Sequence, residues 1–442
     1  MSAARHGAVA LAVALLCLPR PPAAGGEAPA VPLEARAPAP DDLQRGLFLQ
    51  HTAGDLDAAL AAYGAALEGR APGAGTDELL GLRTECLAWR GDGPGLAAAL
   101  EELRRSAATQ PGLEALRDVP AGADVVAMVE LERLRGVPWG EALLAARTAE
   151  LERELRPRLG FGLRELRRLT LALDLTDGAR ALDGWLLGLQ GELSGASPEA
   201  LLRVLAQAWR ELAPGLQLGV RGSPGTKASL ELELSALREA SEEPGPVVRE
   251  RLGELELFLV PSGLRGAEGR EERLGALRLD AATLLVGEER CLRRALQVRA
   301  LQAPGLQANP RLWGLARRVH PEAGLWLLAV PQALAAQVRQ VELDPSLRGG
   351  VLGLAGLLLQ ARLGAELELD ALAFAEDAQS VRILADLARG GLALLRLATG
   401  DEAAREPVLA ALLAGLELQA EGRELSFRLR LPRDLLGRLS LH

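Results

Sequence analysis
Aromatic side chains are scarce in this sequence: they make up 3% of it, with a single tyrosine at Tyr63, although 49% of the chain is hydrophobic. Any core must be built mostly of Leu, Ala and Val. Stacked-ring platforms for sugars or single-stranded nucleic acid are not to be expected. Lysine is scarcer still, Lys227 being the only one. The chain carries 50 basic against 59 acidic residues, a formal net charge of −9. Phosphate binding needs a concentrated basic surface, so nucleic acid is not an expected partner. Histidine is rare as well: beyond His6 there are His51, His320 and His442, none with a second ligand at a zinc-like spacing. No cofactor or metal is expected. Long apolar runs are missing too. The longest after the amino terminus, residues 349–360, stops well short of the roughly twenty residues of a membrane-spanning helix.

What is present begins with an address. The first residues, MSAARHGAVALAVALLCLPRPPAAGG, combine Arg5, an apolar run from Ala8 to Leu18, and small residues at Ala23, Ala24 and Gly25. That is the pattern of a secretory signal peptide over residues 1–25, and it implies a periplasmic or extracellular protein. Cys17 follows Leu15 and Leu16, where a lipid-modified cysteine would follow a small residue, so no lipid anchor is expected. Residues 26–40 are rich in Ala and Pro without an apolar period and read as a disordered linker. Cys86 and Cys291 remain in the mature chain. A disulfide between them is conceivable in an oxidising compartment, but each reads more simply as a small buried apolar residue.

Residues 41–110 read as helices. DDLQRGLFLQHTAGDLDAALAAYGAALEGRAP is broken at Gly54-Asp55, and Gly54, Ala59, Tyr63 and Ala66 follow at the spacing of glycine, small residue, aromatic and small residue. A weaker copy lies 37 positions on, with Gly91 for Gly54 and Leu100 for Tyr63. In these residues the segment resembles the tetratricopeptide repeat. The resemblance implies two helical hairpins that cross closely at the small residues and offer a surface to a protein or peptide.

Beyond Pro111 the apolar period shortens to that of strands. Strand-like runs at 124–131, 167–175 and 184–193 precede a helix at 198–212, then ELELSAL, GELELFLV and a hairpin turning at Asp280-Ala281. A further helix is expected at 139–159. The order recurs later: a strand at 323–330, a helix at 331–341, a hairpin turning near Gly364, a helix from 378 to 397 resuming at 407–413, and a hairpin across Glu421-Gly422. The expected fold class is α+β, with two related ferredoxin-like modules at 111–305 and 306–442, each an antiparallel sheet with helices on one face. This plan, with a Val-Pro-Ala loop at 119–121 before the first strand, is similar to that of large, uncharacterised exported bacterial proteins. That likeness implies architecture and no activity.

Ser194 and Ser197, and Glu376 and Asp377, sit where strand gives way to helix, and they are expected to cap the helices. The run Arg164 to Arg168 reads as a solvated helix end, with an anion site as the alternative. Lys227 in GSPGTKAS lacks the contiguous Gly-Lys-Ser/Thr of a phosphate loop. Glu231 and Glu233, and Glu366, Glu368 and Asp370, share strand faces as a paired-acid site would, but their alternation with leucines places them in water. No catalytic constellation is present. The expectation is an exported, non-enzymatic binding or scaffold protein with a protein or peptide partner. The alternative is a carrier of a lipid or other apolar molecule in a Leu-lined cavity.

Overall fold
A computed structural model of the chain describes residues 45–46, 48–67, 74–107, 113–138, 140–141, 144, 152–153, 156–174, 184–212, 245–265, 271–330, 353–364, 366–398 and 415–431. The expected signal peptide and linker, the strand at 231–237 and the helices at 331–341 and 407–413 lie outside these residues. The chain forms two compact units. One takes Ala24–Asp124 with Arg293–Pro321, the other Val125–Leu292 with Glu322–His442.

The helical unit holds α1 (Leu56–Leu67), α2 (Ala74–Arg90) and α3 (Gly93–Ala107). Residues 293–321, which sequence reading divides between two sheet modules, belong here instead. Backbone bonds from Leu306 to Val119 (2.7 Å) and from Ala121 to Pro304 (3.2 Å) tie that stretch to the loop after α3. Asn309 adds a side-chain bond to the Ala121 carbonyl at 2.9 Å, and its own carbonyl oxygen accepts from Leu312 to cap a short helix over Pro310–Ala316.

In the other unit the described strands form one antiparallel sheet: β1 (Val125–Glu130), β2 (Leu166–Leu173), β3 (Trp185–Gly191), β4 (Val248–Leu252), β5 (Leu255–Arg265), β6 (Glu271–Arg278), β7 (Thr283–Glu288), β8 (Ala323–Ala329), β9 (Leu354–Leu363), β10 (Leu367–Ala375), β11 (Leu416–Glu421) and β12 (Glu424–Leu431). Their spatial order is β11-β12-β10-β9-β8-β1-β2-β3-β7-β6-β5-β4. The structure is thus a mixed helix and sheet fold, as expected, but with one continuous sheet in place of two separate ones. Its centre is the antiparallel pair β1–β8. Outward from that pair both halves obey one rule. Three consecutive strands form a meander, a helix follows, and the last strand of the half returns beside the third: β7 beside β3, and β12 beside β10.

The split order of a ferredoxin-like module is not what forms. There, strands joined through a helix run parallel with another strand between them, whereas β1 and β2 are adjacent and antiparallel. The reason is local. A one-turn helix, Leu131–Arg135, leaves β1, and the Arg135 guanidinium donates to the carbonyls of Leu163 (3.1 Å), Arg164 (2.7 Å) and Leu166 (2.7 Å). This binds the exit of β1 to the beginning of β2, so the chain re-enters the sheet from the end it left. The described residues between 138 and 159 are helical, as the sequence predicts.

Strand alternation assigns the two faces. On one face, Leu189, Val286, Ala276 and Phe258 pack with Leu201, Leu202 and Ala206 of the helix Pro198–Leu212. Following the registers across the sheet brings Ala373, Leu425 and Phe427 to the same face, where they meet Val381 and Ala385 of the helix Ala378–Ala398. Both helices therefore lie on one face, as expected from sequence. Between them a cross-strand row of half-buried residues spans the centre: Leu187, Leu171, Ala127, Leu327, Leu359 and Ala371. On the opposite face Val126, Met128, Trp326, Leu328 and Leu358 are buried, each large one contributing roughly 1.5–3 kcal/mol.

Candidate functional site
The helical unit is organised by a turn used twice. Gly54 and Gly91, 37 positions apart, both take left-handed backbone (φ +68° and +75°), a conformation that favours glycine. Each is followed by an aspartate that starts the next helix: Ala58 N–H donates to Asp55 and Gly95 N–H to Asp92, both at 3.0 Å. The Gly95 bond, aided by Arg90, holds the Asp92 carboxyl below its ordinary range. Sequence reading marked the glycines but not the capping role of the aspartates. The repeated Gly-Asp dipeptide was the available signal.

Ala59, Tyr63 and Ala66 of α1 pack with Leu79, Leu82 and Cys86 of α2, and Leu100 packs with Leu87, Leu96 and Ala99. The Tyr63 ring lies so close to Gly46 that a Cβ there would come within 2.4 Å of it, and its hydroxyl donates to Gln50 at 2.5 Å. Burial pushes the Tyr63 hydroxyl and the Cys86 thiol above their ordinary values. Cys86 and Cys291 are both buried, and among the described residues no disulfide joins them.

Above α2, between α1 and α3, runs a groove of about 550 Å³. Leu60, Ala61, Gly64 and Leu67 form its α1 wall, Arg83, Leu87 and Arg90 its floor, and Asp92, Gly95 and Glu102 its α3 wall. At one end Arg90 pairs with Asp57 at 2.6 Å and with Asp92. At the other Arg83 reaches Glu102 at 3.5 Å. These pairs are open to solvent and screened by it, so an incoming charge displaces them at little cost. The centre is apolar, and Gly64 leaves the α1 wall open there. None of the groove residues is one of the repeat positions, and the set was not legible in sequence, because it is drawn from three helices that meet only in space.

The other sequence-marked residues sort as follows. Ser197 accepts from Ala200 N–H at 3.1 Å and Asp377 from Ser380 N–H at 2.7 Å, so both cap helices. Ser194 lies in the preceding turn, and Glu376 is exposed beside Asp377. Asp377→Ala is expected to cost about 1 kcal/mol at neutral pH. The Ser380 N–H holds the folded Asp377 carboxyl below its ordinary 3.8, so its contribution is present above that value and is lost as the pH falls through the depressed one. Denaturant midpoints of wild type and variant should converge in acid; a gap that persists there would show that the carboxylate is not the source.

Arg167 and Arg168 of the arginine run do not converge on an anion site. They alternate on the strand, Arg168 bonding Glu130 at 2.6 Å and Arg167 reaching Glu192 at 3.4 Å. Glu366, Glu368 and Asp370 require a correction: Glu366 is exposed, but Glu368 is half-buried and Asp370 is buried at 7% exposure. β10 lies between two strands that both present arginines. Arg428 bonds Asp370 at 2.9 Å, Arg362 pairs with both acids, and Arg430 lies 3.6 Å from Glu368. Each acid is thus held by guanidinium groups. The arrangement is a cross-strand ladder that sets register, not two carboxyls facing a shared substrate. Lys227, Glu231 and Glu233 lie outside the described residues.

Among the described residues no cluster of three His, Cys, Asp or Glu side chains is placed to hold a metal, and no helix is long and apolar enough to cross a membrane. No protein-family model matches the chain, and neither a curated protein nor a solved structure matches it.

Proposed function
We propose that this chain is an exported, non-enzymatic binding or scaffold protein whose helical unit holds a protein or peptide on two tetratricopeptide-like repeats. The observation that carries the reading is the open groove along α2, apolar at its centre and bounded at each end by exposed, exchangeable ion pairs. The Gly-Asp turn repeated 37 positions apart supports the repeat assignment. The sheet serves as a platform, and the common strand rule of its halves is what an internal duplication would leave. Export rests on the signal-peptide pattern at 1–25.

A second reading is favoured by a specific feature, the row from Leu187 to Ala371 between the two sheet-covering helices. Six half-buried apolar residues in register would suit the chain of a lipid or another apolar ligand. Native mass spectrometry of the protein purified from its own host, with organic extraction of whatever is bound, separates the two. A retained polypeptide supports the first reading. A stoichiometric apolar molecule without a polypeptide replaces it with the second.

A further inference from the structure
The geometry points to an amphipathic helix as the occupant of the α2 groove, apolar along one face and carrying a lysine or arginine at one end. This inference rests on the protein-binding reading above and names the partner's chemistry.

Three features of the groove support it. The first is the α1 wall, where Leu60, Gly64 and Leu67 recur at i, i+4 and i+7, the seam against which another helix packs. At its middle a Cβ on Gly64 would meet nothing within 4 Å, so the wall is recessed where a partner backbone passes. On the other wall Gly95 stands at the Arg90 end, its N–H donating to the Asp92 carboxylate that also lies nearest to where its Cβ would be. Helix axes pack at about 8–10 Å, the shorter distance being reached where contact residues are small.

The second feature is length. Arg83 and Arg90 mark the two ends of the floor, seven residues or about 10 Å apart along α2, which is two turns of a partner helix. Buried Leu87 lies between them, a contact point for one apolar side chain at the centre of that helix.

The third feature is charge. At the Arg90 end two carboxylates, Asp57 and Asp92, face one guanidinium, leaving a surplus negative charge. At the Arg83 end Glu102 and Arg83 balance. A basic residue on the occupant therefore belongs at the Arg90 end, and this polarity sets the direction in which the helix lies.

The test uses the full mature chain and a fluorescein-labelled helical peptide of about 14 residues, long enough to cover the groove with a turn to spare at each end. The peptide carries leucines at i, i+4 and i+7 with a terminal lysine, and a control has two central residues replaced by proline. Fluorescence anisotropy should show the helical peptide binding at least tenfold tighter than the proline control. Gly64→Leu should weaken binding at least tenfold by filling the recess, while the thermal midpoint stays level or rises, since leucine favours helix over glycine. That split keeps lost binding apart from lost folding. Equal binding of the proline peptide, or wild-type affinity in Gly64→Leu, overturns the helical occupant. If Gly64→Leu purified from the host also keeps a polypeptide that wild type carries, the groove is not its seat, though protein binding stands. A wild-type protein that carries no polypeptide and binds neither peptide removes both readings.

Discussion

Tyr63→Ala is expected to unfold the helical unit under conditions where the wild type is folded. Tyr63 is fully buried and is the one large ring in a cluster otherwise made of Ala59, Ala66, Leu79, Leu82 and Cys86. Removing such a side chain costs about 3–5 kcal/mol, through lost transfer energy and the cavity that a small-residue surround cannot collapse to fill. A domain holds only about 5–15 kcal/mol in total. Tyr63→Phe separates the ring from its hydroxyl. The ring stays against Gly46, but Gln50 loses its donor, and its Nε2 already has no hydrogen-bond partner among the described residues. That variant should lose about 1–2 kcal/mol. Chemical denaturation followed by circular dichroism, with hydrogen exchange to assign the loss to α1 and α2, checks both. A Tyr63→Ala protein within about 1 kcal/mol of wild type would mean that the cluster is not the core of this unit.

Trp326→Ala should be comparably severe in the sheet, by about 3–5 kcal/mol. Trp326 is 1% exposed and stands opposite Met128 on β1 and Gln360 on β9. The β1–β8 pair is the seam by which the two halves of the sheet become one, and Trp326 is the largest side chain on its buried face. The variant should show a lowered denaturant midpoint, with amide protection lost first in Val125–Glu130 and Ala323–Ala329. Protection lost first at the outer strands β4 and β11, with the centre intact, would show that the seam does not limit stability.

How much of this was readable in advance differs from residue to residue. Strand runs such as Ala323–Ala329 and the hairpin across Gly422 follow from alternation and turn chemistry, which operate over a few residues. The caps at Ser197 and Asp377 were legible for the same reason: a helix start needs an acceptor whatever surrounds it. Asp370 was misread as solvated because alternation reports only that it shares a face with Glu368. It does not report that the strands on both sides bring Arg362 and Arg428 over that face. The groove residues eluded sequence reading because Leu60, Arg83 and Glu102 become neighbours only when three helices pack.

The sequence by itself determined composition-level limits, the places where helices and strands begin and end, the paired Gly-Asp turns, and which side chains share a strand face. These depend on backbone preference and periodicity within one segment. Only the tertiary structure decided that β1 pairs with β8 across a separation of about two hundred residues, that one sheet forms in place of two, and that residues 293–321 join the helices. Pairing between distant strands is chosen by which faces can be buried together, and by anchors such as Arg135 that return the chain to the end it left. Those are properties of neighbours in space, and local pattern carries no record of them.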